Sequence, residues 1–409
     1  MVLCATTDGC STRLAEYGVY SHPTTVQLFL ICSASSCSYL DGKPSGAFEI
    51  ASNPPVRSEL RRGRGARSNH SGRFEAEHRE AFDDGWEGLG DLDAFRTEVK
   101  EEAARTIITR NDSPDISFDR SINPYRGCEH GCIYCYARPT HCYLGHSAGL
   151  DFETKLYAKM NAAKLLEGEL AHPRYEPKLI ALGTNTDPYQ PIERERGVTR
   201  SILEVLERTS HPVGVVTKSA LIVRDIDILQ RMATRGLAKV LLSVTTLDRR
   251  VARAMEPRAA TPEKRLEAIG KLSDAGIPCG VMAAPIIPGL NDPEIENILD
   301  AAYAAGAREA GYVLLRLPLE LKEIFREWLA TEFPDRAQLV LSLLQSMHGG
   351  KDYVAEFGMR QRGSGPYADQ IARRFRLAIK RLGYNAQRQE LRSDLFRAPV
   401  LAGQQMALF

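Results

Sequence analysis

The chain has 409 residues, of which 43% are hydrophobic, and its formal net charge is +1. This length and apolar fraction allow a large α/β domain with extensions and argue against a small disulfide-stabilised module. No apolar run reaches the roughly 18 residues of a membrane helix, and the run 26–34 lacks the basic leader of a signal peptide. We therefore expect a cytoplasmic protein that does not associate with a membrane.

The first part of the chain lacks the pattern of a folded domain. Residues 1–60 show no hydrophobic period and are rich in Ser, Thr, Gly and Pro, which predicts a disordered N-terminal extension. Residues 61–117 form an arginine-rich linker and lead-in, with seven arginines between positions 57 and 79. Such a tract is typical of a solvated linker, and a nucleic-acid-binding arm is the alternative.

Residues 118–316 alternate short β-type runs with helix-length amphipathic segments. The predicted strands are 121–125, 178–183, 213–217, 240–245, 278–283 and 312–315. The predicted helices are 157–170, 197–208, 223–234, 262–275 and 293–305. This alternation predicts an α/β fold, a partial (β/α)6 TIM-like barrel whose ligands lie at the carboxyl ends of the strands.

Residues 317–398 are predicted to form a C-terminal helical, basic region, with helices at 319–330, 336–347 and 367–382. Residues 350–409 carry eleven basic and five acidic side chains, so positive charge is concentrated there. In the segment 367–382, Ile371 and Phe375 lie on an apolar side and five cations lie elsewhere. Packing on the barrel and contact with nucleic-acid phosphates are both open for this helix.

Only one group of the nine cysteines is dense enough for a metal site. The chain after the first predicted strand reads Arg126-Gly-Cys-Glu-His-Gly-Cys-Ile-Tyr-Cys-Tyr136. Three thiolates, from Cys128, Cys132 and Cys135, can hold a 4Fe–4S cluster and leave one iron without a protein ligand. The alternative is a structural zinc site completed by His130 or His141, which would make the chain a nucleic-acid-binding protein without catalysis.

The spacing C-x3-C-x2-C, with the aromatic Tyr134 before the last cysteine, resembles the signature of the radical S-adenosylmethionine (SAM) superfamily. Further stretches are similar to an uncharacterised bacterial branch of it that is related to spore photoproduct lyase. They are Thr109-Arg-Asn-Asp-Ser-Pro114, Asp119-Arg-Ser-Ile-Asn-Pro-Tyr-Arg126, Gly149-Leu-Asp-Phe-Glu-Thr154, Gly183-Thr-Asn-Thr-Asp-Pro-Tyr-Gln-Pro191 and Ser243-Val-Thr-Thr-Leu-Asp248.

The resemblance implies a radical SAM enzyme. Such an enzyme uses a 4Fe–4S cluster and an external electron donor to cleave SAM reductively to a 5′-deoxyadenosyl radical. The resemblance and the basic C-terminus favour DNA or RNA as the substrate, as in lesion repair or modification. Modification of a protein or a small molecule with the same cofactor is the alternative.

The resemblance also implies SAM-binding residues outside the cysteines. Tyr134 is expected to lie against the adenine. The loop after the second strand is expected to bind the amino group, although it departs from the common Gly-Gly-Glu form; its candidates are Gly183, Thr184, Asn185 and Asp187. Lys218, Ser243 and Arg258 are expected near the ribose or the carboxylate. Ordinary turns, salt bridges and core packing compete with each assignment.

Two further features rest on weaker matches. Cys142 is a candidate hydrogen donor because spore photoproduct lyase uses a cysteine in that role, but the motif does not align, and packing is the alternative. Residues 399–409 form a flexible tail that ends in Gln405-Met-Ala-Leu-Phe409. This resembles the peptide that docks bacterial proteins on the replication sliding clamp, with Gln405, Leu408 and Phe409 at the matching positions.

Overall fold

The computed structural model describes residues 63–75 and 95–401. The predicted disorder of residues 1–60 and the clamp-like peptide at 405–409 lie outside these ranges. The two central regions of the prediction, the barrel and the C-terminal helices, lie within them.

A seven-stranded sheet forms the frame of the described chain. Six of its strands are parallel and lie side by side in chain order: β3 (Arg120–Ile122), β6 (Ile180–Leu182), β7 (Val213–Thr217), β8 (Ala238–Ser243), β9 (Cys279–Ile286) and β10 (Glu309–Leu314). The strand β2 (Ile108–Arg110) is antiparallel and extends the edge at β3. Because the order of the parallel strands in the sheet follows their order in the chain, the sheet is wound in one direction, as in barrels. In open nucleotide-binding sheets the strand order reverses at one point. The predicted partial (β/α)6 fold is confirmed.

Helices connect successive strands of this sheet. They are α2 (Ala162–Leu170), α4 (Val198–Arg208), α5 (Ile226–Ala233), α7 (Pro262–Asp274) and α8 (Ile295–Ala304). The start of α7 follows from its sequence, because the Thr261 side chain accepts a hydrogen bond from the Lys264 amide and Pro262 occupies the first helical turn. On α4, Ile202 and Leu206 are fully buried, as their spacing predicts.

A second, three-stranded sheet was not predicted. In it β5 (Lys155–Ala158) pairs with β1 (Glu98–Glu101) on one side and β4 (Tyr125–Arg126) on the other. The predicted helix 157–170 therefore begins later, at Ala162. The reason is a period of two within β5, since Leu156 and Ala158 are buried while Lys155 and Tyr157 are only partly buried. Short helices fill three further loops: α1 (Asp151–Thr154), α3 (Glu193–Arg196) and α6 (Arg249–Met255).

The C-terminal region consists of α9 (Leu321–Glu332), α10 (Pro334–Met347) and α11 (Pro366–Leu382). The apolar side of α11 is buried through Ile371 and Phe375. Arg374 pairs with Glu296 and Arg381 with Asp300, both on α8. Packing thus accounts for this side of the helix, while Arg373, Arg376 and Lys380 are exposed. Among the described residues, no helix is long and apolar enough to cross a membrane.

The segment between α10 and α11 connects the two outer strands of the large sheet. On one side the Leu314 amide at the end of β10 donates to the Gln361 carbonyl at 2.9 Å. On the other, Asp115, between β2 and β3, accepts from the Gly358 amide at 2.6 Å and from Arg360. The β2 and β10 edges are not paired with each other within 63–75 and 95–401, so this segment spans the seam of the partial barrel.

The arginine-rich lead-in differs from the predicted solvated linker where it is described. Arg64 is only 8% exposed and Ala66 is fully buried. Arg67 pairs with Glu332, and Arg73 pairs with Glu320. These arginines are ordered because carboxylates on α9 and beside it receive them, which no local sequence pattern could indicate. Arg57, Arg61, Arg62 and Arg79 lie outside the described residues.

Candidate cluster and cofactor site

The three cysteines lie on a tight loop between β4 and a 3₁₀-helix, Arg138–Leu144, near the carboxyl end of the large sheet. Cys128 and Cys132 are buried at 7% and 8% exposure, Cys135 is half-buried, and all three thiols are free. The loop closes on itself, because the Gly131 amide donates to the Cys128 carbonyl and the Cys135 amide to the Cys132 carbonyl. The predicted cysteine triad is therefore brought together in one short loop.

A fully buried ion pair holds this loop in place. The Arg138 guanidinium donates to the carbonyls of Cys132 at 3.0 Å and Gly131 at 3.1 Å, and to Glu153 at 2.6 Å. Glu153 also accepts from the amides of Gly65 and Ala66, each at 2.8 Å. Because every charged group is hydrogen-bonded, the pair can be tolerated in the interior. The lead-in is thereby fastened to the cysteine loop.

The chemistry of the loop fits three separate thiolate positions. Burial raises the pKa of the Cys128 thiol, and it raises that of Cys132 to about 12. Such thiols stay protonated unless a metal holds the thiolate form. Within the described residues, no group of three His, Cys, Asp or Glu side chains is placed to hold one metal ion. A cubane cluster takes each thiolate on a different iron, so its ligands need not converge on one point.

Among the described residues, the two histidines of the zinc alternative do not join the cysteines in a group placed to hold one metal ion. His130 Nδ1 lies 3.4 Å from Asp187 Oδ2. His141 is buried edge-on against the Phe152 ring, with 5.6 Å between ring centroids. Neither arrangement joins the cysteines in a closed four-ligand set, so these contacts favour the cluster over zinc.

The predicted amino-group loop follows β6 and is tied to β7. A methyl group on Gly183 would lie 2.0 Å from the Val216 carbonyl oxygen, so only glycine fits there. Asp187 accepts from the Thr217 hydroxyl at 2.6 Å and from the Lys218 amide at 2.8 Å. Burial acts to raise the pKa of Asp187, but His130, Thr217 and the Lys218 amide outweigh it and hold that pKa below its usual range. Asp187 is thus engaged as a bridge between two strand ends.

Asn123, which sequence reasoning missed, organises the neighbouring part of the loop. Its Oδ1 accepts from the Asn185 amide at 2.9 Å, and its Nδ2 lies 3.2 Å from Thr184 Oγ1. The Thr184 carbonyl accepts from the Tyr136 hydroxyl. The Asn185 side chain is exposed. The sequence signals for Asn123 were its place before Pro124 within the predicted strand 121–125 and its place in the family-like stretch 119–126.

Tyr134 is placed in a buried polar network. Its hydroxyl donates to Glu256, which also accepts from the Thr245 hydroxyl at 3.0 Å and pairs with Arg265. Burial acts to raise the pKa of Glu256, but Arg265 and then Lys218 outweigh it, so the pKa is lowered and the carboxylate stays charged. Glu256 and Arg265 were also missed, since their pairing depends on the fold.

The same network reaches two more predicted residues. The Lys218 ammonium lies 5.8 Å from the centre of the Tyr134 ring. Arg265 Nη1 donates to the Ser243 carbonyl at 3.0 Å, at the end of β8. Tyr134, Lys218 and Ser243 are therefore close together beside the cysteine loop, and their contacts with SAM stay predictions.

Arg258 contacts the cysteine loop directly. Its Nη2 lies 2.8 Å from Glu129 Oε1, and its amide donates to the His130 carbonyl at 3.3 Å. Glu129 is 4% exposed and also accepts from the Thr97 hydroxyl. A carboxylate of SAM would have to use the remaining donors of the guanidinium or displace Glu129, so this contact stays a prediction.

Cys142 lies beneath the lead-in. Its side chain is fully buried, and its Sγ is 3.2 Å from where a methyl group on Gly72 would lie. Burial, with Glu320 adding to it, raises the pKa of the Cys142 thiol. Its predicted role as a hydrogen donor would require the lead-in to give access, and it remains a prediction.

Comparison with known proteins agrees with this geometry. Residues 122–302 match the family model described as the radical SAM superfamily. An uncharacterised protein of Mycobacterium tuberculosis is 36% identical over 222 residues, which are 54% of this chain and only 65% of that relative's length. An uncharacterised protein of Methanocaldococcus jannaschii is 25% identical over 222 residues, which are 54% of this chain and 78% of the relative.

Among solved structures, spore photoproduct lyase complexed with dinucleoside spore photoproduct is similar, with a TM-score of 0.50 and 18% identity. The match covers 69% of this chain and 79% of that one, and at this identity it is evidence of a shared fold. The family match spans the cysteine loop and five of the six parallel strands completely or in part. Residues 122–302 therefore resemble the radical SAM superfamily, whose members use a 4Fe–4S cluster and SAM.

Proposed function

We propose that this protein is a radical SAM enzyme that cleaves SAM reductively and acts on nucleic acid, in DNA lesion repair or in modification. The observation that carries the proposal is the buried loop with Cys128, Cys132 and Cys135 at the carboxyl end of a partial (β/α)6 barrel. Ligands of such barrels bind at that end of the strands.

The three thiolates would hold a 4Fe–4S cluster by three of its irons, as the superfamily requires. When bound, such a cluster would supply the electron for reductive cleavage of SAM to methionine and a 5′-deoxyadenosyl radical. The protein's own contribution is placement. Arg138 and Glu153 hold the loop, and the lead-in shields it from water.

In this proposal, different side chains around the loop bind different parts of the SAM molecule. Thr184 and Asn185 offer oxygen acceptors for its ammonium group, at a turn where Gly183 keeps the backbone close to β7. The Tyr134 ring faces the adenine, and Arg258 is a donor for the carboxylate. Lys218 and Ser243, joined to Tyr134 by the buried network, lie on the ribose side.

Nucleic acid is the proposed substrate class for two reasons. The similar lyase structure holds a dinucleoside photoproduct, and a chain of the same fold and superfamily can be expected to place a related substrate at its strand ends. In addition, the exposed Arg373, Arg376 and Lys380 offer phosphate contacts on α11.

The tail residues Gln405, Leu408 and Phe409 would add a contact with the replication sliding clamp. In a pull-down experiment, the full chain should retain the clamp, and a chain that ends at Gly403 should not.

Isotope transfer tests the proposed substrate class. Reduced, reconstituted protein is mixed with SAM and ultraviolet-irradiated DNA that carries deuterated thymidine. Deuterium should appear in 5′-deoxyadenosine or in recovered SAM, because the radical abstracts hydrogen from the nucleic acid. Parallel reactions with deuterated RNA and with deuterated protein extract serve as comparisons. Transfer from protein alone would contradict the nucleic-acid proposal and favour a protein-modifying enzyme.

A further inference from the structure

The exposed aromatic side chains in the described part of the chain are not scattered. In the described ranges, four large aromatic residues are exposed: Phe74 at 56%, Tyr136 at 41%, Tyr143 at 68% and Phe357 at 57%. Each of them lies against an arginine. Exposed rings of this size are unfavourable in water and mark contact surfaces when they gather.

The arginine contacts have the geometry of cation–π pairs. The Arg316 guanidinium is 4.7 Å from the centre of the Tyr136 ring, and that of Arg360 is 4.5 Å from the Phe357 ring. Arg73 lies 5.3 Å from Phe74 and 5.7 Å from Tyr143. We call these four rings and three arginines the arginine–aromatic row.

The row follows the cysteine loop. Tyr136 comes directly after Cys135, and Tyr143 lies in the 3₁₀-helix that comes next. The rings of Tyr143 and Phe74 are stacked, with 5.2 Å between centroids and 25° between planes. On the other side of Tyr136, Asp115 accepts a hydrogen bond from Arg360, and the charge of Arg316 helps to lower the pKa of Asp115.

A second connection joins the two ends of the row. Arg73 pairs with Glu320, which follows Arg316 by four residues in the loop after β10. Four residues span at most about 14 Å. The stacked pair Phe74–Tyr143 and the pair Tyr136–Arg316 are therefore neighbours on the same surface.

Charge distinguishes Arg316 within the row. Arg73 is paired with Glu320 and Arg360 with Asp115. Among the described residues, Arg316 has no carboxylate within ion-pair distance, and its buried Nε has no hydrogen-bond partner. A half-buried guanidinium without an acceptor is costly, and an anion from a ligand would relieve that cost.

We propose that the arginine–aromatic row binds an unpaired stretch of nucleic acid, with bases stacked on the exposed rings and a backbone phosphate on Arg316. Rings that stack any base, interleaved with arginines, are how proteins bind single strands. The row then leads the strand past Tyr136 to the cysteine loop. This inference rests on the proposed function for its substrate class and assigns the surface that receives the substrate.

The test measures binding of a fluorescein-labelled single-stranded DNA 12-mer to the full chain by fluorescence anisotropy. Phe74→Leu and Phe357→Leu keep an apolar side chain and remove the ring. Each should weaken binding by about fivefold to a hundredfold, because one stacked base is lost. Leu339→Ala is the matched control, since Leu339 is 50% exposed on α10 and lies outside both the row and the cationic face of α11; the affinity of this variant should not change.

A salt titration tests Arg316 separately. Arg316→Gln should weaken binding and reduce the slope of log affinity against log salt by about 0.7, the value for one lost phosphate contact on a single strand. Arg231→Gln, an exposed arginine on α5 that pairs with Glu207, should leave the slope unchanged. If Arg316→Gln instead weakens SAM binding and leaves DNA binding intact, its anion is the SAM carboxylate and the assignment is wrong.

Other results would overturn the inference in distinct ways. No DNA binding at low salt, or weaker binding in Leu339→Ala with unchanged binding in the two ring variants, would exclude the row as the binding surface. Formation of 5′-deoxyadenosine is measured in parallel on the same samples. If 5′-deoxyadenosine forms but the protein does not bind DNA, the row is refuted and the radical chemistry stands. If DNA binding depends on the rings but no 5′-deoxyadenosine forms, the radical chemistry is refuted and the row stands.

Discussion

Arg138 makes more contacts with the cysteine loop than its position in the sequence would indicate. It donates to two carbonyls of the loop, to those of Ala148 and Gly149, and to Glu153. Lysine would keep the charge but cannot reproduce this planar set of donors. The loop geometry therefore depends on a residue that ligates nothing.

We predict that Arg138→Lys lowers the free energy of unfolding by about 3 kcal/mol, because buried acceptors lose their donors. It should also lower the iron bound after reconstitution. Urea unfolding and iron analysis measure both. Arg126→Lys is the control, since Arg126 is exposed and pairs with Glu102 at the surface, and it should change stability by less than about 1 kcal/mol. Equal effects of the two variants would contradict the role of Arg138.

His211 carries the pH dependence that the structure predicts most clearly. It is fully buried, its Nδ1 donates to the Pro212 carbonyl, and its Nε2 accepts from the Tyr175 hydroxyl at 2.8 Å. Burial lowers the pKa of His211 to about 4. The unfolded chain takes up a proton below about pH 6.5, while the folded chain does so only near pH 4. The folded state therefore favours the neutral ring of His211.

Stability should fall as the pH drops from about 6.5 to 4, by up to about 3 kcal/mol from this one group. Urea unfolding at a series of pH values measures the slope. His211→Asn should flatten it, whereas His172→Asn, at an exposed site, should not. An unchanged slope in His211→Asn would mean that other groups cause the acid sensitivity.

At this scale, sequence reasoning identified the three candidate cluster cysteines but not the side chains that hold their loop in place. Cys128, Cys132 and Cys135 could be found because their spacing is local. Glu153 binds Gly65, 88 positions away, and Tyr134 meets Glu256 at a separation of 122. Such partners are brought together only by the fold, so neither composition nor spacing reveals them.

At the scale of elements, hydrophobic pattern was sufficient for the barrel. The predicted strand 213–217 has the bounds of β7, and α7 ends one residue before the predicted limit. The strand β5 was missed because a helix-like pattern continues from it into α2. Its partners β1 and β4 are short, and a strand of that kind is defined by pairing and not by its own sequence.

The turn after β6 gives a prediction at this scale. Gly183 has φ +87°, and an added methyl group would meet the Val216 carbonyl oxygen. Gly183→Ala should destabilise the fold by about 2 kcal/mol or more. Gly168→Ala is the matched control: Gly168 lies in α2 with open space around it, so alanine there should stabilise by about 0.5–1 kcal/mol. Thermal unfolding of both variants checks the opposite signs, and a stable Gly183→Ala would contradict the turn geometry.

At the scale of the whole molecule, the lead-in is part of the site. Gly65 and Ala66 donate to Glu153, Arg64 donates to the Glu153 carbonyl, and Gly72 covers Cys142. The linker predicted from composition is in this part a structural component of the cysteine loop. Composition could not show this, because an arginine-rich tract has the same composition whether or not the folded domain offers carboxylates and carbonyls to bind it.

Truncation tests that role. A chain that begins at residue 76 loses two hydrogen bonds to a buried carboxylate, worth roughly 1.5–3 kcal/mol each, and should bind less iron and unfold at lower temperature. A chain that begins at residue 61 keeps those contacts and should match the full chain in both measurements. Equal iron content in the two truncated chains would show that the lead-in does not support the loop.

The central claim is that the three-cysteine loop cleaves SAM, and formation of 5′-deoxyadenosine tests it most directly. The protein is reconstituted anaerobically with iron and sulfide, reduced, and given SAM. The native chain and Cys279→Ala, which alters a buried free cysteine on β9, should form 5′-deoxyadenosine, and Cys132→Ala should form none. Equal product from Cys132→Ala, or a native chain that takes up zinc and no iron–sulfur cluster, would contradict the account.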